Sequence, residues 1–500
     1  MSSENMSEEE CSPPKCPRQD DSSSEKELRS AAECEEVAAR RKRVARLLAE
    51  SERVEALVNR VMVMACRKRV LQSAAEYEEA KASARSYAEQ INNQLQCNGR
   101  YSPNITVKVA IPADGWGHWS WQGSNVYLTT ELSKQLAKFP YMKVSMLVPE
   151  GSCSELKKKT AEIFNVTIVE AKKQPGFKDP SDWLYFLPKG LTTDIVIGIG
   201  DKLCKMAQIF KVLHHCKSIF FGSNSFEESL SRETKLRSVL AEMEDVCQCD
   251  VQPIVQMADL PVGLGPKIAG RLSDSLTRQG KEVFELTPGI LTEFADITQT
   301  RRDREKFRIL VAGHGYLRYF YKERLEIVAK AVAKLKDESY EIIFVGAAEG
   351  EHRGFMKKFR KCGVPKHQMI IRSPPKDEEE MKSWLCEADL AIVPSDEQEF
   401  GMFGLAALSS GLPILVHGAS GLGEALRYVD GGRLSIVKSE DISKWSKAIK
   451  TVRNLERTVR LDEADLLRKH YNEKYSWEKQ CGDLVEEMLK MASAQQDKTQ

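Results

Sequence analysis

The sequence predicts an α/β protein in which short parallel strands alternate with crossover helices, behind a purely helical N-terminal segment. Three observations carry this. Residues 390–426, LAIVPSDEQEFGMFGLAALSSGLPILVHGASGLGEAL, read as strand, loop, helix, strand, loop, helix, which is the repeat of a parallel sheet. Short apolar runs of the same kind, each closed by a glycine or polar turn, recur from residue 106 to residue 372. By contrast, residues 25–97 contain neither proline nor glycine and carry apolar side chains at helical spacing.

Taken in order, residues 1–24 are mostly Ser, Glu, Asp and Pro, too few apolar groups to offset the entropy of ordering, and are expected to be a disordered tail. In 25–98, Val37, Val44, Leu47, Leu48, Val54, Leu57, Val58, Val61 and Met62 recur three, four and seven apart. That predicts one long coiled-coil helix or a hairpin of two, able to self-associate or bind a protein partner. The basic run 40–46 is either a nuclear import signal or the solvated face of that helix.

A linker with Gly99 and Pro103 precedes a first sheet domain, 104–300. Its expected strands are 106–111, 143–148, 166–170, 194–199 and 218–221. Helices are expected over 126–138 and 202–213, with a charged helical connection over 225–247. The loop 112–125, PADGWGHWSWQGSN, holds two titratable groups, Asp114 and His118. They are candidates for contacts to an acceptor or for proton transfer; the alternative is a loop packed by its three tryptophans. A second sheet domain, 301–492, has expected strands 307–312, 341–346, 368–372, 390–394, 413–416 and 434–437, and helices over 322–335, 377–386, 403–409, 441–455 and 463–471. A last helix starts at 475–477. Twice in 390–426 a glycine-bearing loop joins a strand's C-terminal end to a helix N-terminus, where free N–H groups and the helix dipole favour a diphosphate.

Composition narrows the field. Seventy-four basic and seventy-three acidic residues nearly cancel, so no large field favours nucleic acid. Thirteen cysteines without framework spacing read as reduced thiols of an intracellular, cytoplasmic protein. Cys247 and Cys249 lie downstream of His214, His215 and Cys216, but no second pair has zinc spacing; unlinked thiols are the default reading. No apolar run is long enough to span a bilayer, and residues 1–10 lack the features of a signal peptide.

The stretch Glu399-Phe400-Gly401 and the small-residue helix behind it resemble the nucleotide-sugar site of retaining glycosyltransferases of the GT4 kind. Those enzymes have the GT-B architecture, two Rossmann-like domains facing a cleft. The family motif is Glu, seven residues, Glu. In one register its two positions fall on Glu399 and Ala407, in the other on Gln398 and Ala406. The first family carboxylate touches the donor sugar and the second holds the ribose; alanine has no acceptor for that contact. The resemblance implies a catalytic role for Glu399 and donor contacts from Phe400, Gly401, Met402, Phe403 and Gly404. It places Gly123 against the donor phosphates and Ile371 and Arg372 beside the base. Gly313 and His314 stand where the family has Gly-Arg. Lys322 is the nearest lysine to the family's diphosphate clamp, and Arg318 is a further candidate. Histidine lacks arginine's charge and planar fork. Where members often have histidine near the acceptor, this chain has Gly198 and Gly200.

The implied activity is retaining transfer of a sugar from a nucleotide-sugar to an unknown acceptor, with no metal or other cofactor and a degenerate active site. The alternative is a non-catalytic nucleotide-sugar sensor or scaffold. The chain is similar to a GT4 subgroup associated with immune and biological-conflict proteins, in which the helical segment would be an adaptor. A phosphorylase-like reading with pyridoxal phosphate fails, because no segment resembles its Schiff-base lysine site.

Overall fold

The computed structural model describes residues 106–117, 124–186, 190–222, 254, 257–277, 280–313, 324–395 and 400–496. The expected tail, the helical segment 25–98 and the connection 225–247 lie outside them.

The described chain forms two wholly parallel sheets. The first comprises β1 (Val107–Pro112), β2 (Met142–Pro149), β3 (Val166–Ala171), β4 (Ile195–Ile199), β5 (Lys217–Gly222), β6 (Leu260–Leu264) and β7 (Phe284–Leu286), in the order β3-β2-β1-β4-β5-β6-β7. The second comprises β8 (Phe307–Ala312), β9 (Tyr340–Val345), β10 (Met369–Arg372), β11 (Leu390–Val393), β12 (Ile414–His417) and β13 (Ile436–Val437), in the order β10-β9-β8-β11-β12-β13. Strands this short and this apolar are buried on both faces, as parallel sheets require. In each sheet the strand order reverses at the first strand, beside β4 in one and β11 in the other. Ligands of doubly wound sheets bind at that reversal, beyond the strands' carboxyl ends.

In the first lobe α1 (Ser124–Leu136) and α2 (Glu155–Ile163) follow β1 and β2, and α3 (Asp201–His214) and α4 (Gly265–Leu276) follow β4 and β6. Glycines let α3 and α4 approach the sheet. A Cβ on Gly198 would lie 2.7 Å from the Cys204 Cα, and one on Gly263 2.2 Å from the Ala269 Cα. The short α5 (Thr292–Ala295) sits in the crossover between lobes.

The second lobe adds α6 (Leu325–Leu335), α7 (His352–Lys361), α8 (Glu378–Glu387), α9 (Met402–Ser409), α10 (Gly421–Leu426), α11 (Ile442–Asn454), α12 (Arg457–Lys474) and α13 (Trp477–Gln496). Leu434 was expected in a strand, but it sits in a 3₁₀ turn at 81% exposure; only Ile436 and Val437 join the sheet. The reason is solvation: β13 is an edge strand with nothing to cover a leucine there.

The final helix returns to the first lobe, where Cys481, Leu484, Val485 and Met488 share the apolar cluster of α1's Leu128 and Leu132. The crossover is tied to this return. Gln480 gives and takes hydrogen bonds with the Thr287 backbone at 2.7 Å each, Trp477 Nε1 donates to the Ile290 carbonyl at 3.2 Å, and Tyr471 Oη to that of Pro288 at 2.8 Å. Gly289 is needed in that knot, since a Cβ would meet Trp477 Cδ1 and the Tyr475 carbonyl at 2.7 Å.

Beneath the second sheet, Asp389 is 2% exposed. It accepts from the Arg308 N–H at 2.9 Å and pairs with Arg457 and, at 3.5 Å, with Arg304. This buried carboxylate starts α12 at Arg457, ahead of the expected 463.

Candidate functional site

The residues singled out by sequence sort into those outside the described chain and those the fold brings to strand ends. Glu399, His118, Gly123, His314, Arg318 and Lys322 lie outside the described residues. Of the others, Asp114 follows β1, Gly313 follows β8 and residues 400–404 follow β11, all strands that flank an order reversal, whereas Ile371 and Arg372 end β10 at the edge of the second sheet.

Residues 400–404 lead into α9, whose sequence MFGLAALS is apolar all round. Every residue from Met402 to Ser409 is buried. A helix with no polar face belongs in an interior, and α9 is wedged between β11, β12, α5 and α12. From Gly401 to Leu408 no side chain carries an oxygen or nitrogen. Any polar recognition by this stretch must therefore come from backbone. Gly401 caps α9 at φ +88° without a side-chain bond, and the first intrahelical donor is the Leu405 N–H, which reaches the Gly401 carbonyl at 3.1 Å. The N–H groups of Met402, Phe403 and Gly404 precede that bond, so they have no intrahelical acceptor and suit an anion. Ala406 and Ala407, the two possible seats of the second motif carboxylate, are both at 0% exposure.

Phe400 was expected to touch the donor. Its ring is fully buried and lies against the first lobe: a Cβ on Gly265, at the start of α4, would be 2.8 Å from Phe400 Cε2. Gly265 has φ +78°, so glycine serves both the turn and the close approach. Helix α10 packs on α4 beside it. The lobes also meet where the Leu291 N–H donates to Ser409 Oγ at 2.9 Å and Gln299 Nε2 to the Ser410 carbonyl at 3.1 Å.

At β10 the Arg372 carbonyl already accepts the N–H groups of Gly346 and Ala347, at 3.0 and 2.9 Å. Its guanidinium pairs with Glu387 at 2.7 Å and lies over the Trp384 ring. Pro374 and Pro375 follow and supply no N–H. On the first lobe, Asp114 is exposed and Oδ1 accepts from Ser181 Oγ at 2.7 Å. Trp116 is buried, as a packed loop requires, with its N–H on Cys153 Sγ at 3.2 Å.

Sequence reading missed a polar cluster behind this loop. Tyr127 Oη donates to Glu293 at 2.6 Å, and Lys134 pairs with Glu293 at 3.0 Å and Glu131 at 3.5 Å; Tyr127, Lys134 and Glu131 are buried and Glu293 half-buried. Burial pushes the Tyr127 hydroxyl well above its ordinary range, and Glu293 and Glu131 add to it. Burial alone would lower the Lys134 ammonium; its two carboxylates outweigh that and raise it. These groups link α1 to the crossover helix α5. Their only sequence signal was charge within a helix whose apolar stripe predicted solvent on the other side.

No group of three or more His, Cys, Asp or Glu suited to a metal occurs among the described residues. Cys216 is buried, and burial pushes its thiol up to about 11; the six cysteines described are all unlinked. No described helix is long and apolar enough to cross a membrane.

Residues 111–484 match the family model for family 4 glycosyltransferases in conflict systems. The chain belongs to that family. As a GT4 glycosyltransferase domain of the GT-B superfamily, it has two Rossmann-like lobes with a cleft between them. Among curated proteins it is similar to D-inositol 3-phosphate glycosyltransferases. That of Rhodococcus erythropolis is 29% identical over 172 residues, 34% of this chain and 38% of the relative. That of Corynebacterium diphtheriae is 25% identical over 226 residues, 42% and 50%. The chain thus spans half the length of such relatives or less. Among solved structures, sucrose-phosphate synthase from Thermosynechococcus elongatus superposes with a TM-score of 0.55 at 14% identity, covering 76% of this chain and 99% of that one. Anabaena HepE in complex with UDP and glucose gives 0.52 at 12%, covering 77% and 99%. At such identities these two structures speak for the fold.

Proposed function

We propose that this GT4 glycosyltransferase domain binds a nucleotide-sugar in the interlobe cleft and transfers the sugar with retention to an acceptor held by the first lobe. The observation that carries the donor half is the N-terminus of α9, where backbone N–H groups at the carboxyl end of a central strand meet the requirements of a diphosphate. Glu399 positions the sugar, while His314, Arg318 and Lys322 stand by the leaving diphosphate, whose growing charge dominates the barrier. Gly123 approaches the same phosphates. Asp114 and His118 serve the acceptor side. No metal is needed, because these donors and the helix dipole supply the positive field.

A second reading is a sensor that binds the nucleotide-sugar without turning it over. It is favoured by Ala406 and Ala407, both fully buried, which leave the ribose without a carboxylate in either register. Losing one charged hydrogen bond to ribose costs about 1.5–3 kcal/mol, a weakening of donor hold that transfer can survive at reduced rate. A partner-binding role for residues 25–98 suits either reading.

Purified protein incubated with a panel of nucleotide-sugars, beside Glu399→Gln, separates them. Sugar release or transfer that the variant abolishes supports the enzyme. Saturable binding with no product over a day supports the sensor, and absence of both rejects the proposal.

A further inference from the structure

The two faces of the first sheet are covered differently. On one, α1 packs on β2 and α2 on β3, and Val107, Val109, Met142, Val144 and Val166 are buried beneath them. On the other, the described elements cover only the part toward the carboxyl ends. There Ala110, Leu147 and Ala171 pack under α3 and the 3₁₀ turn Pro180–Tyr185. Toward the amino ends this second face carries Lys108, Lys143, Ser145 and Thr167, which alternate along their strands with the buried valines and methionines. A parallel sheet is ordinarily apolar on both faces. Here those four residues, with Asn165, Leu191, Thr192 and Thr193, line an open cavity of about 320 Å³.

The charge of this cavity is one-sided. Lys108 and Lys143 stand opposite each other in the β1–β2 register, on strands about 4.8 Å apart. Like charges so placed repel. Neither ammonium meets a carboxylate among the described residues: Lys108 Nζ donates to Thr192 Oγ1 at 2.9 Å, and Lys143 has no bonding partner there. The nearby Asp194 is turned to the backbone, its Oδ2 accepting the Lys108 N–H at 2.7 Å. Ser145 and Thr167 are likewise opposite each other in the β2–β3 register, so two hydroxyls lie beside the two ammonium groups.

We infer that this cavity is a second binding site, for a small phosphate monoester. A phosphate monoester is close to a dianion at neutral pH and presents three acceptor oxygens. The two ammonium groups match its charge, and the Ser145 and Thr167 hydroxyls donate to the oxygens that remain. A carboxylate brings one charge and two oxygens, and would leave one lysine unmatched. The volume is at the lower end of small-molecule sites, enough for a phosphate and a sugar-sized remainder. Half-buried Leu191 offers the remainder an apolar wall. The cavity opens at the amino ends of β1 and β2, whereas Asp114 follows the carboxyl end of β1. Its ligand therefore takes no part in transfer. It bridges three strands and the return to β4 at Thr192, and so acts as an effector that stiffens the first lobe.

Calorimetric titration of the full chain tests this, with glucose 6-phosphate as probe and glucose and inorganic phosphate as its two halves, all at one ionic strength. Glucose 6-phosphate is expected to saturate with a dissociation constant of about 1 mM or less, phosphate to bind more weakly and glucose not at all. Added UDP should leave that binding unchanged, since the interlobe cleft is a different place. Lys143→Gln should weaken it about tenfold or more, Lys143→Arg should keep most of it, and Lys447→Gln, exposed on α11 of the second lobe, should not alter it. Should Lys143→Gln fail to fold, Thr167→Val, which loses one hydroxyl, is expected to weaken binding about threefold. No saturable binding, equal binding of glucose and glucose 6-phosphate, displacement by UDP, or binding indifferent to these lysine and threonine changes would each overturn the inference.

Discussion

Gly265→Ala probes the contact between the start of α4 and the Phe400 ring. Two penalties add. The backbone at φ +78° disfavours any L side chain by about 1–2 kcal/mol. The new Cβ would stand 2.8 and 2.9 Å from Phe400 Cε2 and Cδ2, well short of the ~3.5–4.0 Å of comfortable carbon contact. The ring is fully buried and has no free space to enter, so the clash costs about 1–3 kcal/mol. The sum, about 2–5 kcal/mol, is read as the drop in unfolding free energy by urea titration. Phe400→Leu in the Gly265→Ala background relieves the clash. A double-mutant cycle should therefore return a favourable coupling of about 1 kcal/mol or more. Because Phe400 follows Glu399 directly, Gly265→Ala should also weaken nucleotide-sugar binding. A variant within about 0.5 kcal/mol of the parent, or a cycle additive within about 0.3 kcal/mol, would refute the lobe contact.

Other expectations follow from the buried charges. Lys134→Ala takes from Glu131 and Glu293 the cation they share, leaving them the Gln135 and Tyr127 hydrogen bonds, and should cost about 3–5 kcal/mol. Since the Lys134 pKa is raised on folding, its contribution is complete below the unfolded value near pH 10 and fades as pH rises through the folded one. Melting curves from pH 8 to 11 should show the onset of that loss in the parent and not in the variant. For Asp259, burial raises the carboxyl, but hydrogen bonds from Lys211, the Ser218 N–H and Lys217 prevail and lower it. Its contribution is present above the unfolded value near pH 4 and is lost as pH falls through the folded one. Asp259→Asn should cost about 1.5–3 kcal/mol at pH 7 and flatten the acid limb of the stability curve.

Most strands were legible because they are four- to eight-residue apolar runs, and parallel sheets bury both faces of such runs; β7 and β13, at three and two residues, are shorter. Helices were legible where a stripe was wide, as in 322–335, observed as α6. Two escaped. In α2, ELKKKTAEI, only Ala161 is buried, so there is no stripe to read. In α7 the stripe reduces to Phe355 and Phe359 within a basic run interrupted by Gly354. Helix α9 was found by glycine and proline punctuation as much as by its apolar content. Asp114's partner Ser181 and the Lys134–Glu293 pair were invisible because both join residues more than sixty positions apart. Gly265 gave no local hint that it faces Phe400, since that requirement arises only when the two lobes are assembled.

The most direct test of the whole account is amide exchange at Met402, Phe403 and Gly404 in protein saturated with a nucleoside diphosphate sugar. If the α9 N-terminus receives the diphosphate, these three amides should slow about tenfold or more, with no matching change on α2 or α11. Saturable nucleotide binding that leaves them untouched would contradict it.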